Sequence, residues 1–367
     1  MSDARRSLTR IWSTAALIIP SIRNFVIAIA SLAISSATLC QVVGDEPETT
    51  RTVLILYSHQ TNAPINADWD RGIRGALAAG FPEGVRIEIE RLDLGREEDD
   101  EFESRLVDLL RHKYADRRID VVIPVFTQAL SFALDNRDLF QNAPVVFCSL
   151  PAAIAEQTDS FHNVTGVAFS WDLIETVELS RDLFPNTSRL FVVSGGHKWE
   201  MELQRSVEMK LSRYDDTLEI VYLTGLPLSR LCSELVNVDS QSIVLVLTHD
   251  GDHEGKSNTT VEAVAKISQH SSAPVFGLYD TPLGHGILGG QLASAEIQGK
   301  LAGELAVRIV RGESASEIPV AGLDSNRYMF DGRILSWLKS WRTGAHSSGR
   351  RNVIFPTLLW PTSQCHC

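Results

Sequence analysis

Chemistry in this chain would most plainly sit between Pro274 and Gly299, where an apolar run ends in Tyr279-Asp280, passes a glycine-rich turn and enters an amphipathic stretch. Polar groups at a strand's carboxyl end line the ligand crevice of open α/β sheets, so Asp280, His285 and Gly290 are candidates to touch a small molecule. Asp280 has two readings: an ion pair with a ligand amine, or a turn-forming residue before Pro282. Tyr279 offers a face for stacking.

Nearby motifs resemble better-known sites by letter only. Gly251-Asp252-His253-Glu254-Gly255-Lys256-Ser257 has three residues between its glycines where a phosphate loop needs four, and its acids repel phosphate. Read as a calcium loop, the same stretch places Val261 where a bidentate carboxylate is required. A divalent-metal reading through His249, Asp250, His253 and Glu254 stays open beside the default of a solvated acidic loop. Gly284-His285-Gly286-Ile287-Leu288-Gly289 matches a dinucleotide pattern, but Pro282 interrupts the strand-to-turn step and apolar residues follow the glycines, so it reads as a turn between lobes. No nucleophile elbow, HExxH or paired-carboxylate signature is present. The expectation is a protein that binds rather than catalyses, with no cofactor.

The elements that would position these groups alternate. Val53–Tyr57, Val85–Leu92, Val121–Val125 and Pro144–Cys148 are apolar runs separated by helical patterns, one with Trp69, Ile73 and Leu77, another with Phe102, Leu106, Leu109 and Leu110. Consecutive apolar positions indicate strands covered on both faces, hence a parallel, doubly wound sheet. After Asn163-Val164-Thr165-Gly166 a second series runs through Trp171–Phe184, Arg189–Val193, Trp199–Leu211, Leu218–Leu223, a helix through Leu235, Ile243–Thr248, Thr259–Ser268 and Pro274–Tyr279. Two equal α/β layers predict two Rossmann-like lobes with a cleft between them. Helix 293–310 follows, and periodicity does not choose its lobe.

The order of elements, with VLILYS at 53–58, IDVVIPVFTQAL at 119–130, APVVFCSL at 143–150, NVTGVAFSWDLIETVELSRDLFPNTSRLFVVSG at 163–195, YLTGLP at 222–227 and APVFGLYDTPLGHGILGG at 273–290, resembles the ABC-transporter substrate-binding-protein-like family. That resemblance covers about 51–332 and implies a type I periplasmic binding fold, a domain that also serves as the extracytoplasmic sensor of histidine kinases. It further implies that 51–167 with 290–313 forms one lobe, and 168–289 with 316–332 the other.

In such a fold the cleft walls are the loops after strands. They hold Ser58, His59, Gln60, Thr127, Gln128 and Ser149 in the first lobe, and Ser194, Gly195, Gly196, His197, Thr248, His249, Tyr279 and Asp280 in the second. Thr127 and Gln128 start a helix whose free amides suit a ligand carboxylate, with Thr127 equally placed as an N-cap. His197, after a Ser-Gly-Gly turn, reads as a capping or surface residue as readily as a contact.

Composition fits this picture. The 367 residues are 44% hydrophobic and carry a formal charge of −12. Residues 1–39 are net +3 and 333–367 net +5, leaving −20 on 40–332, a body that repels nucleic acid. The start bears Arg5, Arg6, Arg10 and Arg23, an arginine-free run Phe25–Ala33 and the small residues Ser35-Ser36-Ala37. It reads as an export signal cut after Ala37 or, with a second apolar patch at Ala15–Ile19, as an uncleaved anchor; either places the body in the periplasm. Leu39 beside Cys40 argues against lipid attachment.

Five cysteines give no disulfide framework; Cys148 and Cys232 read as buried small hydrophobes, and Cys365-His366-Cys367 lacks the second pair of a zinc site. The sequons at Asn163, Asn186 and Asn258 are incidental in the bacterial setting that the family resemblance implies. The last 35 residues depart from sensor relatives by holding no run of about 20 apolar residues, and read as a disordered tail or a sensor cut short, with membrane contact confined to leader or tail. The sequence thus predicts capture of a small polar or amino-acid-like ligand for an ABC permease, or sensing for a kinase encoded elsewhere.

Overall fold

The computed structural model describes residues 51–58, 63–94, 100–323 and 325–333. Two sheets form the frame. The first contains β1 (Thr52–Tyr57), β2 (Arg86–Arg91), β3 (Val121–Val125), β4 (Val145–Pro151) and β5 (Val164–Phe169), in the order β2-β1-β3-β4-β5 and parallel throughout. The helices between them are α1 (Pro64–Gly80), α2 (Asp100–Tyr114), α3 (Thr127–Asp135) and the single turn α4 (Ala152–Ala155).

The chain then enters the second sheet through α5 (Leu173–Leu183), β6 (Arg189–Ser194), α6 (Lys198–Leu211), β7 (Glu219–Thr224), α7 (Leu228–Leu235), β8 (Ser242–Thr248), α8 (Thr260–His270), β9 (Val275–Gly277) and β10 (Gly289–Leu292). Helix α9 (Ala295–Val310) follows, and β11 (Arg327–Phe330) closes the sheet order β11-β10-β9-β8-β6-β7. Strands β6 to β10 are parallel, and β11 pairs antiparallel with β10. The α/β architecture with two doubly wound lobes is therefore as predicted, with one departure. After α9 the chain runs back past β5, where Ala321 bridges Val167, and β11 then meets the edge strand β10 from the opposite direction, so the second sheet is mixed.

Burial explains the apolar runs. All residues of β1, β3 and β8 are buried, because each lies inside a sheet covered on both faces. On one face of the first sheet Trp69, Ile73 and Leu77 of α1 pack with Ala302, Leu305 and Ala306 of α9. On the other, Leu110 of α2 and Phe132 of α3 meet Leu54, Leu56 and Val122. The second sheet is likewise sandwiched, by α5 and α6 on one side and α7 and α8 on the other.

Helix α2 buries only part of its predicted face: Leu110 is buried, while Phe102 and Leu109 stay exposed. Cys148 is buried as expected, whereas Cys232 is half-covered, and both are free. Among the described residues no helix is long and apolar enough to cross a membrane.

Candidate cleft between the lobes

In both sheets the strand order reverses at the first strand, between β1 and β3 and again between β6 and β8. Successive helices leave to opposite faces there and open a crevice at the strands' carboxyl ends. The loops that follow these strands and their neighbours are the candidate walls.

The first wall has strained backbone and unfilled hydrogen-bonding groups. Phe126, just before α3, adopts φ 72° and ψ 172°, and supplies no side-chain cap to the helix. Ser149 lies one strand over at φ 61°, where the pairing of β4 with β5 slips register between Phe147 and Leu150. Non-glycine residues at positive φ are uncommon and cluster at ligand sites, and here two are joined across neighbouring strands, Phe126 N donating to Cys148 O at 2.9 Å. Trp69 Nε1, Gln128 Oε1 and Ser149 Oγ are all buried without a hydrogen-bond partner. Such atoms cost about 1–3 kcal/mol each when unpaired. Ser58 is different: its hydroxyl donates to Val125 O at 2.8 Å, so it ties the ends of β1 and β3 together. His59 and Gln60 lie outside the described residues.

Most of the second wall satisfies itself, although Thr248 Oγ1 and Trp171 Nε1 are also buried without a hydrogen-bond partner. Glu200, in the first turn of α6, is wholly buried and accepts from His197 N at 3.1 Å and Asp250 N at 2.9 Å. The Glu200 carboxylate and the His197 ring each accept from the other residue's backbone N–H, a capping box, and the ring stands 3.2 Å from the carboxylate. Burial, then the nearby Asp250 charge, raises the Glu200 pKa; the Asp250 and His197 amides oppose that rise. Gly195 is glycine because a Cβ would meet the Glu200 carboxylate at 2.0 Å. Ser194 is inaccessible and donates to Glu200 O at 3.2 Å.

His249 is also inaccessible, and both ring nitrogens are engaged. Nε2 donates to Leu226 O at 2.9 Å, while Nδ1 accepts from Asn258 Nδ2 at 3.2 Å. The acidic loop beyond is equally self-contained: Asp252 Oδ1 accepts from Glu254 N and Lys256 N, and Asp250 Oδ1 from Thr260 N and its hydroxyl. The glycine-rich segment forms a turn leading to β10, with Gly286 at φ 132° packed where a Cβ would overlap Ser268.

Asp280 departs from its neighbours. Its backbone carbonyl closes a turn with Leu283 N at 2.8 Å, and its Oδ1 accepts from Ala295 N at 3.4 Å, at the start of α9. Burial pushes its pKa up to about 6, aided by the charge of Asp68, while Ser294 and the Ala295 amide pull it down. Among the described residues no cation pairs with it. Asp68 is anchored by Arg71 at 3.0 Å and by the Thr281 hydroxyl at 3.1 Å, the latter joining the first turn of α1 to the loop after Asp280.

Aromatic rings line the space in two groups. Trp69 meets Phe126 at 6.5 Å between centroids, and Phe126 meets Trp199 of α6 edge-on at 6.3 Å, a contact between the two lobes. Phe169 and Trp171 sit edge-to-face at 4.9 Å, and Tyr279 lies 6.2 Å from each. Sequence reasoning placed Trp69 in a helix face and did not assign Phe126, Phe169, Trp171 or Trp199 to the cleft. The available signal was positional: Phe126, Phe169, Trp171 and Trp199, though not Trp69, lie at or within about five residues of a strand's carboxyl end.

The sequence pattern of the ABC transporter substrate binding protein family matches residues 71–338. The chain belongs to that family. Curated proteins yield no match to this sequence. Among solved structures, similarity extends to a ligand-free, open substrate-binding protein with adhesive properties from Clostridium difficile, at 16% identity over 83% of this chain and 99% of that one, TM-score 0.58. An ABC domain from Streptococcus pneumonia in complex with L-Trp is 17% identical, over 79% of this chain and 95% of its own, TM-score 0.57. An ABC transporter solute binding protein from Bacillus halodurans with bound myo-inositol is 13% identical, over 80% and 99%, TM-score 0.52. These likenesses establish the two-lobed type I fold, and the family makes this a solute-binding protein.

Proposed function

We propose that this substrate-binding protein is exported, captures a small amino-acid-like solute between its lobes, and presents it to an ABC permease. The observation that carries the reading is the cluster of unmet bonding groups on the first wall together with a buried Asp280 that pairs with no cation among the described residues. On the first wall the Trp69 indole N–H, the Ser149 hydroxyl and the uncapped amides of α3 are donors suited to a carboxylate, with the helix dipole favouring negative charge. Gln128 Oε1 and Asp280 accept, and Asp280, being without a cation, suits an ammonium group. A zwitterion spanning the two would neutralise both ends at once. The flanking aromatic rings suit a flat or hydrophobic ligand body.

Folds of this type hold ligands as different as L-Trp and myo-inositol, so side chains and not architecture set the choice. A polyol would leave the Asp280 charge unpaired. Ligand bound across the cleft shifts the lobes only by its differential affinity for closed over open states, and closure is the signal a permease reads.

Thermal melting of the exported chain against amino acids, short peptides, polyols and aromatic acids tests this. A zwitterionic ligand at about 100 times its Kd adds about 2.7 kcal/mol of stability. Stabilisation by uncharged polyols alone would overturn the zwitterion reading.

A further inference from the structure

Helices α1 and α9 lie side by side and point the same way: Gly72 sits against Glu296 and Lys300, Gly303 against Ile73 and Ala76, and Gly80 against Val307. They approach closely because the contacts are glycines; a Cβ on Gly72 would stand 2.1 Å from the Glu296 carbonyl oxygen. The outer surface of the pair is a shallow groove of about 740 Å³. Its floor is small or apolar, with Gly75, Ala76, Ala79 and Ile297, and Glu296, Lys300, Glu304 and Arg308 border it.

Those four charges recur every fourth residue, so they form one row along α9, alternating negative and positive. Such a row is its own complement when reversed. A two-fold rotation about an axis at Ala302 sets Glu296 opposite Arg308 of a second copy and Lys300 opposite Glu304. On α1 the level of that axis is Gly75 and Ala76, since Gly303 touches Ala76, and small residues at the axis let two faces meet.

We propose that this face docks a second copy of the same chain, α9 antiparallel to α9, in an isologous dimer. The central pair carries the register. Glu296 is already bridged to Arg71 at 2.7 Å and Arg308 to Glu313 at 2.5 Å, whereas Lys300 and Glu304 sit a loose 3.8 Å apart within the helix. Helices of 16 and 17 residues are about 25 Å long, so the paired face is on the order of 500 Å² per copy, a size that gives a reversible dimer rather than an obligate one. The charge row fixes orientation more than affinity.

Sedimentation of the whole exported chain from about 1 to about 200 μM tests the proposal, over the range where an interface of this size associates. The wild type moves from monomer toward dimer. Gly75→Arg projects bulk into the centre of the groove, and because nothing lies within 4 Å of a Cβ there, it leaves the monomer intact. Lys300→Glu sets a second carboxylate opposite Glu304 of the other copy, twice per dimer. Each variant weakens dimerisation about tenfold or more, with unchanged circular dichroism, and the exchange Lys300→Glu with Glu304→Lys restores it to within about threefold of wild type. A monomer at every concentration overturns the proposal. So does a dimer indifferent to both single changes, and an exchange variant that stays monomeric rejects the antiparallel register.

Discussion

The two walls of the cleft are built from equivalent strand ends yet differ in how far they satisfy themselves. On the second lobe Glu200, His197, Asp250 and His249 consume one another's bonding capacity and that of the local backbone. On the first, Trp69, Gln128 and Ser149 hold buried polar atoms with nothing to bind, beside two residues at strained φ. Polar residues at a strand end are thus of two kinds: those that hold the loop and those left for something else. Unpaired groups cost stability in the free protein, so a ligand that pairs them recovers that loss on binding.

The sharpest way to break this contrast is on the second wall. Replacing Gly195 with Ala forces a methyl into the Glu200 carboxylate, and His249→Ala strips partners from Leu226 O and Asn258. Each should lower stability by about 2–4 kcal/mol in chemical denaturation, while ligand affinity in the folded fraction changes by less than about threefold. An affinity loss without a stability loss would move these residues into the ligand site.

Asp280 is expected to have the next largest effect. Asp280→Ala should weaken an amine-bearing ligand by more than about tenfold in calorimetry, about 1.4 kcal/mol. Unchanged affinity removes Asp280 from the site.

Its titration refines the prediction. Because the folded protein holds this proton up to about pH 6 and the unfolded chain releases it near the ordinary carboxylate range, the folded state binds more protons between those values. The Asp280 contribution to ligand-free stability should therefore fall as pH rises through that window and level off above it, by roughly 1–3 kcal/mol, with Asp280→Asn making the slope shallower by that amount. Affinity for an ammonium ligand should run the opposite way, improving as Asp280 ionises.

The smallest effect belongs to the first wall. Ser149→Ala removes a hydroxyl that pairs with nothing, so the melting temperature should stay level or rise slightly while affinity for a carboxylate ligand falls about threefold to tenfold. Loss of stability instead would mean that the hydroxyl serves the fold.

Much of the frame was legible in the sequence. Apolar runs such as Val121–Val125 are continuous because strands inside a doubly covered sheet have no solvent face, and α9 carries its apolar residues four apart because one side meets a core. The edges were less legible: β10 and β11 are four residues each, too short and too glycine-rich or polar to show a period. Within the cleft, Thr127-Gln128 and Tyr279-Asp280 stood out as polar groups at strand ends. The aromatic contributors did not, since Trp69 and Phe126 resemble any buried residue until their neighbours are known.

The sequence by itself determined the alternation of strands and helices and the two-lobed class, because periodicity is a local property. Only the tertiary structure decided which polar groups at the strand ends remain unspent. Whether His249 or Ser149 has a partner depends on Leu226, Asn258 and the bulge in β4, and residues brought together from distant strands settle their hydrogen bonds in space rather than along the chain.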